Sequence, residues 1–389
     1  MPKGISRVRF AGVNARTVTG KFNENGERGS LGGANQTITM AKLAAANPQV
    51  AMLRDNLNAF ADGLGDNLYT GNLYQDISVQ QRIYGAAFEY GLSERWNFGV
   101  RFRVVEQHIR SGLTVDATNN AGSVRRLVQG NAATVAALDA GLVQVSNFDQ
   151  TFWENTLFRS KGYDAPSDKD LTSLGYTEAG VKYLIYKNDW YLMSTLGGVR
   201  LPTGRDESLT NPLDRGTGGN YWGAAAQWQQ EFVASSALSF GTSARYDYYF
   251  KDTKKKAVPK NEDDVLPSLL PGDGQVQTVK RKPGNRVEAE LSSTLKLGEQ
   301  FSVWGAYQYQ RKVKDDYSGP GNLYYAGLEK NTDFEATNGE TGVEFSTIQL
   351  YRKKKFAMPM QVALTYNTTL SGYNTADASY GRVDLKFYF

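Results

Sequence analysis

The sequence predicts an all-β chain, an antiparallel up-and-down transmembrane β-barrel of about 12 strands, with about 14–16 also compatible. Helical insertions are expected in two of its long loops. Three observations lead there: apolar and ionic residues alternate with period two in segment after segment, short and long links alternate between those segments, and no apolar run is long enough for a helix to cross a membrane.

The clearest strand is the last. Gly381, Val383, Leu385, Phe387 and Phe389 fall on one side, and Tyr380, Arg382, Asp384, Lys386 and Tyr388 on the other. Successive strand side chains point to opposite faces, so this segment has one greasy and one charged face. Four more segments repeat the pattern: Trp96, Phe98, Val100, Phe102 and Val104 against Arg101 and Arg103; Leu238, Phe240, Tyr246, Tyr248 and Phe250 against Arg245 and Asp247; Val287, Ala289, Leu291, Leu295 and Leu297 against Arg286, Glu288, Glu290 and Lys296; and Met360, Val362, Leu364 and Tyr366 against Gln361, Thr365 and Asn367. Each alternation has the length that crosses a bilayer at a barrel tilt. Weaker versions lie near 6–20, 79–91, 174–186, 190–201, 221–232, 301–313 and 341–350.

The links separate a barrel from a sandwich. Short turns fall at 92–95, 187–189, 233–237, 298–300 and 351–357, and longer links at 21–78, 108–173, 202–220, 251–285, 314–340 and 371–377. Sorting links by parity is the habit of outer-membrane barrels, short turns on the periplasmic side and long loops outside. The whole of 1–389 reads as a single barrel domain, with 21–78 and 108–173 as long insertions. In the first, Val50, Leu53, Leu57, Phe60 and Leu64 recur at helical steps across 38–64, interrupted at Pro48; in the second, Ser123 precedes Val124, Leu127, Val128, Val135, Leu138 and Leu142, despite Gly130. These helices either plug the pore, dock on a neighbouring subunit, or pack on the barrel rim.

Composition agrees. The chain of 389 residues has 40 Gly, 23 Tyr, 18 Phe, one His and no Cys. Its mean hydropathy of −0.49 is polar because alternation hides a lipid belt in the average. The net charge of +4 on 84 charged residues gives no reason to expect nucleic acid as a partner. Without Cys there is no disulfide scaffold and no thiolate metal site. No apolar leader follows Met1, so a targeting segment is expected to have been removed.

The ending on Phe389 resembles the terminal-phenylalanine assembly signal of bacterial outer-membrane proteins. Gly91-Leu92-Ser93-Glu94-Arg95-Trp96-Asn97-Phe98-Gly99-Val100 is similar to a hairpin of small outer-membrane barrels. It is followed by Glu178-Ala179-Gly180-Val181-Lys182-Tyr183, by Gly198-Val199-Arg200-Leu201-Pro202-Thr203-Gly204-Arg205, and by Gly216-Thr217-Gly218-Gly219-Asn220-Tyr221. This succession, over about 90–235, resembles the outer-membrane family named after the meta-pathway of phenol degradation. The resemblance implies a twelve-stranded type of barrel, location in the bacterial outer membrane and passage of small molecules, with a leaning toward aromatic or hydrocarbon compounds. Contact with outer-membrane lipid and lipopolysaccharide, and with the assembly machinery through the last strand, is expected with it.

Residues of inward parity are the candidate pore lining: Arg101, Arg103, Glu178, Lys182, Arg200, Arg245, Asp247, Arg286, Glu288, Glu290, Lys296, Arg382, Asp384 and Lys386. They fit a water-filled, mixed-charge channel for small solutes in which the arginines favour anions. The competing reading of the same residues is a lumen closed by interlocking salt bridges. The alternative function is a non-conducting structural barrel that self-associates, with Gly223, Ala224, Ala225 and Ala226 offering a smooth face. No enzyme is expected. The only His, His108, has the parity of the outer face, and no cofactor or metal set is evident. Lys251, Lys254, Lys255, Lys256, Lys260, Lys280, Arg281 and Lys282 crowd one long loop, where they either bind lipopolysaccharide phosphates or form a solvated run balanced by Glu262, Asp263 and Asp264.

Overall fold

In the computed structural model the described residues are 1–389 except 33–35, 45–47, 117, 146–150, 152–153, 160–162, 166, 212–213, 215, 218–219 and 261–275. Twelve strands form one closed antiparallel meander. They are β1 (Ser6–Ala15), β2 (Tyr69–Gly91), β3 (Trp96–Asp116), β4 (Thr177–Lys187), β5 (Tyr191–Leu201), β6 (Gly223–Val233), β7 (Leu238–Tyr249), β8 (Arg286–Leu297), β9 (Phe301–Lys312), β10 (Phe334–Ser346), β11 (Met360–Tyr373) and β12 (Ser379–Tyr388). Each strand pairs with the next, and β12 returns to β1, Arg7 opposite Tyr388 through Ala15 opposite Tyr380. Phe389 belongs to this seam: its N–H donates to Ser6 O at 2.9 Å and Ser6 N–H donates to its carbonyl at 3.0 Å. Closure leaves no unpaired edge between the two ends of the chain.

The alternation orients the wall. Phe10, Phe88, Phe98, Phe102, Phe240, Leu291, Val343, Leu364 and Val383 are exposed on the outer face. Apolar side chains exposed all round a closed barrel have no counterpart in a water-soluble monomer, where such patches are small. This is a transmembrane barrel surface, and the backbone amides inside lipid are satisfied by the ladder. Aromatic clusters mark the short-turn end, with Trp96 on Tyr183 (4.6 Å between centroids), Tyr191 on Phe232 (4.8 Å) and Phe301 on Phe345 (5.1 Å).

Several boundaries differ from the sequence expectation. The segment expected at 341–350 is β10 at Phe334–Ser346, and a short helix, Ile348–Arg352, occupies the following turn. The start of β10 is unannounced because its outer face carries Glu335, Thr337, Gly339 and Thr341 before Val343 and Phe345. Strands β2 and β3 run well beyond their expected ends. The long loops also carry small sheets that short polar sequence did not announce. One joins Asp252–Ala257, Val276–Lys282 and Asp316–Ser318, and buries Val258, Val279 and Tyr317 against Leu323, Tyr325 and Leu328.

The chain falls into two compact units, one of 1–31, 78–109 and 169–389, the other of 32–77 and 110–168. The second unit has its own core. Helices α1 (Met40–Ala44) and α2 (Pro48–Phe60) bury Met40, Leu43, Val50, Leu53 and Leu57. The second helical stretch is two helices, α3 (Ala121–Val128) and α4 (Ala132–Val145), which bury Val124, Val128 and Leu138. Gly130 falls in the break between them, as its low helix propensity dictates. Gly141 lets α4 lie against α2, since a Cβ there would sit 2.2 Å from Leu53 Cδ2.

Candidate functional site: the barrel interior

Inside the barrel unit the described residues enclose a cavity of about 800 Å³ with an almost wholly polar lining. Of the fourteen residues of inward parity, Arg101, Lys182, Arg200, Arg245, Asp247, Arg286, Glu288, Glu290 and Arg382 line it. Their grouping follows from strand register. Arg101 on β3 stands opposite Glu178 on β4, and Glu178 stands opposite Arg200 on β5. Glu178 is therefore shared: Arg101 contacts it, Arg200 donates at 3.2 Å and Arg245 from β7 at 3.1 Å. Arg245 also pairs with Asp247 at 2.7 Å. Tyr176 is stacked between two guanidiniums, Arg103 and Arg200, each 3.8 Å from its ring centroid. Arg200 further donates to the Tyr249 hydroxyl at 3.1 Å. Arg286 contacts Glu288 and donates to Gln310 at 3.2 Å.

A second network lies across the ring. In a closed meander of twelve strands, β10 is six places from β4 and so stands opposite it. Glu340 on β10 accepts from Arg382 at 3.1 Å, Asn367 at 3.0 Å and Gln308 at 3.4 Å; Gln308 also reaches Glu290 at 3.0 Å. Asp384 accepts from Arg382 at 2.8 Å and from Arg9 at 2.6 Å, tying β12 to β1 across the seam. A third group lies toward the short-turn end, with Lys386 paired to Glu344 at 3.0 Å and Arg7 to Glu89 at 2.5 Å. Lys182 donates to Gln229 at 2.6 Å instead of to a carboxylate, and Lys296 is exposed and joins none of these groups.

The sequence reading missed Arg9, Tyr176, Gln308, Glu340 and Trp304. Parity on the weak strand near 6–20 could have flagged Arg9. Glu340 falls in the 314–340 link of the sequence expectation, and Tyr176 and Trp304 lie on the weaker alternations at 174–186 and 301–313, where parity does not declare a face. Trp304 faces inward and lies against its cross-strand partner Gly342, where an added Cβ would be 2.7 Å from the indole Nε1 and from the Leu364 carbonyl oxygen. An aromatic covering a strand glycine in this way supports the ladder locally. Gly342→Val is expected to displace Trp304 and cost about 1–3 kcal/mol, read as a lower urea midpoint for folding into lipid vesicles.

Other expectations are placed differently. Ala224 and Ala226 have outward parity, whereas Gly223 and Ala225 face inward, so the small-residue stretch is split between the two faces. Cationic residues of the long loop find carboxylates on either side of it: Lys254 pairs with Asp206 and Lys256 with Glu207 in the 202–220 link, and Arg281 with Asp252 in its own. Glu262, Asp263 and Asp264, expected to balance them, lie outside the described residues, as do Gly218 and Gly219. In the same loops burial works against the Asp214 carboxylate, yet hydrogen bonds from Arg205 and Gly216 hold its pKa below the ordinary Asp value. His108 shares the face of Phe102 and has Asp170 as its cross-strand neighbour, Nδ1 to Oδ1 2.9 Å.

No family model and no curated protein matches the chain. Among solved structures it is similar to an outer-membrane channel from Pseudomonas putida F1, with a TM-score of 0.54 at 10% identity, over 100% of this chain and 97% of that one. The fold is that of an outer-membrane β-barrel. Two further likenesses are looser: a monoaromatic hydrocarbon channel (TM-score 0.34, 10% identity, 100% of this chain and 88% of that one) and a porin in complex with disordered oligogalacturonate (TM-score 0.32, 8% identity, 82% and 99%). The motif resemblance over 90–235 thus agrees with the architecture of this barrel.

Proposed function

We propose that this chain is a porin-like channel of the bacterial outer membrane, through which small polar solutes pass by passive diffusion along a mixed-charge lumen. The observation that carries the reading is the polar cavity of about 800 Å³ inside a barrel whose outer face is apolar. An eight-stranded barrel is filled by its own side chains; twelve strands leave room between the two ionic networks. The arrangement suits hydrated solutes better than hydrocarbons, since a greasy solute crossing a wall of paired ions gains no apolar contact. In this reading the short turns are periplasmic, the long loops face outward toward lipopolysaccharide, and β12 with Phe389 is what the assembly machinery engages.

Pure protein inserted into a planar bilayer is expected to give discrete conductance steps, ohmic at low voltage. Fully inserted protein that stays silent defeats the proposal and favours the second reading, a structural barrel that self-associates. That reading has its own support in Gly197, Ala224 and Ala226, which share the outer face of β5 and β6 and allow close approach of a neighbour. Cross-linking in native membranes would then trap multimers.

A further inference from the structure

We infer that the arginine-rich wall of the lumen, on β3, β5, β7 and β8, is a binding site for a small oxyanion, of which inorganic phosphate is the simplest representative. The inference rests on the channel reading and names the class of solute that the lumen favours. Guanidinium groups are in excess on this wall. Arg101, Arg103, Arg200, Arg245 and Arg286 stand against Glu178, Asp247, Glu288 and Glu290, and the first three of these carboxylates are each already engaged by at least one arginine. Arg103 stacks on Tyr176 and forms no ion pair of its own among the described residues.

Hydrogen bonding makes the same point independently. Arg200 is 6% exposed and lines the cavity, and its Nε has no hydrogen-bond partner among the described residues. The Nε of Arg286, which also lines the cavity, is in the same condition. Buried donors of this strength are normally matched by an acceptor, and a charged acceptor is the best match. The guanidinium fork is suited to a planar or tetrahedral oxyanion, and Tyr176 holds Arg200 in place by stacking. Glu290, farther along β8, accepts from Gln308 at 3.0 Å, so an anion is drawn toward the arginine end of this wall.

The test is a titration of inorganic phosphate into folded protein in a phosphate-free detergent, followed by the phosphorus NMR line width. Wild-type protein should broaden the phosphate line. Replacing Arg101→Gln together with Arg286→Gln should weaken the apparent affinity about tenfold or more. Should that double variant not fold, Arg101→Gln alone serves, because Glu178 keeps Arg200 and Arg245. Lys353→Gln, in a short turn where Lys353 pairs with Glu299, should leave binding unchanged. Absence of broadening with wild type, or equal broadening with the arginine variants, overturns the site. Failure of the channel reading shows separately, as a silent bilayer with phosphate binding intact.

Discussion

Glu178→Gln is expected to destabilise the folded barrel by about 3–5 kcal/mol, the cost of stranding partners of a buried ion pair. Glu178 is the common acceptor for Arg101, Arg200 and Arg245, brought to it from three different strands. Glutamine keeps an oxygen acceptor but removes the charge that offsets them. The side chains of Arg200 and Arg245 are nearly buried, so water can replace little of what is lost. The loss should appear as a lower urea midpoint for folding into vesicles and as easier unfolding on an SDS gel without boiling. Glu178→Asp, which keeps the charge on a shorter stem, should recover part of it. An unchanged midpoint for Glu178→Gln would mean that solvent already screens these arginines.

Leu291→Arg carries the second large effect. Leu291 lies in the middle of β8, is 63% exposed and points outward. An arginine at the lipid midplane of a barrel costs about 2–4 kcal/mol. Its neighbour Ser292 has the opposite parity and lines the cavity, so Ser292→Arg should fold with little penalty. Moving one residue along the strand exchanges lipid for lumen. Measured as folding free energies in vesicles of defined thickness, the two variants should differ by most of that range. Equal penalties would show that the outer face of β8 does not meet lipid.

These two variants divide along what was legible beforehand. Leu291 could be assigned to the outer face from its neighbours alone, because period-two patterning is a local property of the strand. The same holds for most of the inward residues: Arg245 and Asp247 on one strand, Arg382 and Asp384 on another, declare their face by parity. The shared role of Glu178 had no such signature. Its three arginines lie 77, 22 and 67 residues away.

The outer face of β10 opens on Glu335, Thr337, Gly339 and Thr341, so its first half carries no apolar signal and Glu340, the acceptor of the second network, reads as part of a loop. Gly130 broke a helix that the apolar stripe alone had suggested was continuous. The small sheet around Val258 and Val279 depends on loops far apart in the chain finding one another, and its strands are too short and too basic to announce themselves.

By itself the sequence determined that this chain is a strand-built barrel, which residues meet lipid and which turn inward, and that β12 ends on an aromatic able to close the seam. Each of these follows from the two-residue repeat of an extended backbone, a property the chain carries wherever it goes. Only the tertiary structure decided which inward charges neutralise one another and which arginines are left with donors to spare. Those outcomes depend on the stagger between neighbouring strands and on closure of the ring, which bring together residues that no local pattern relates.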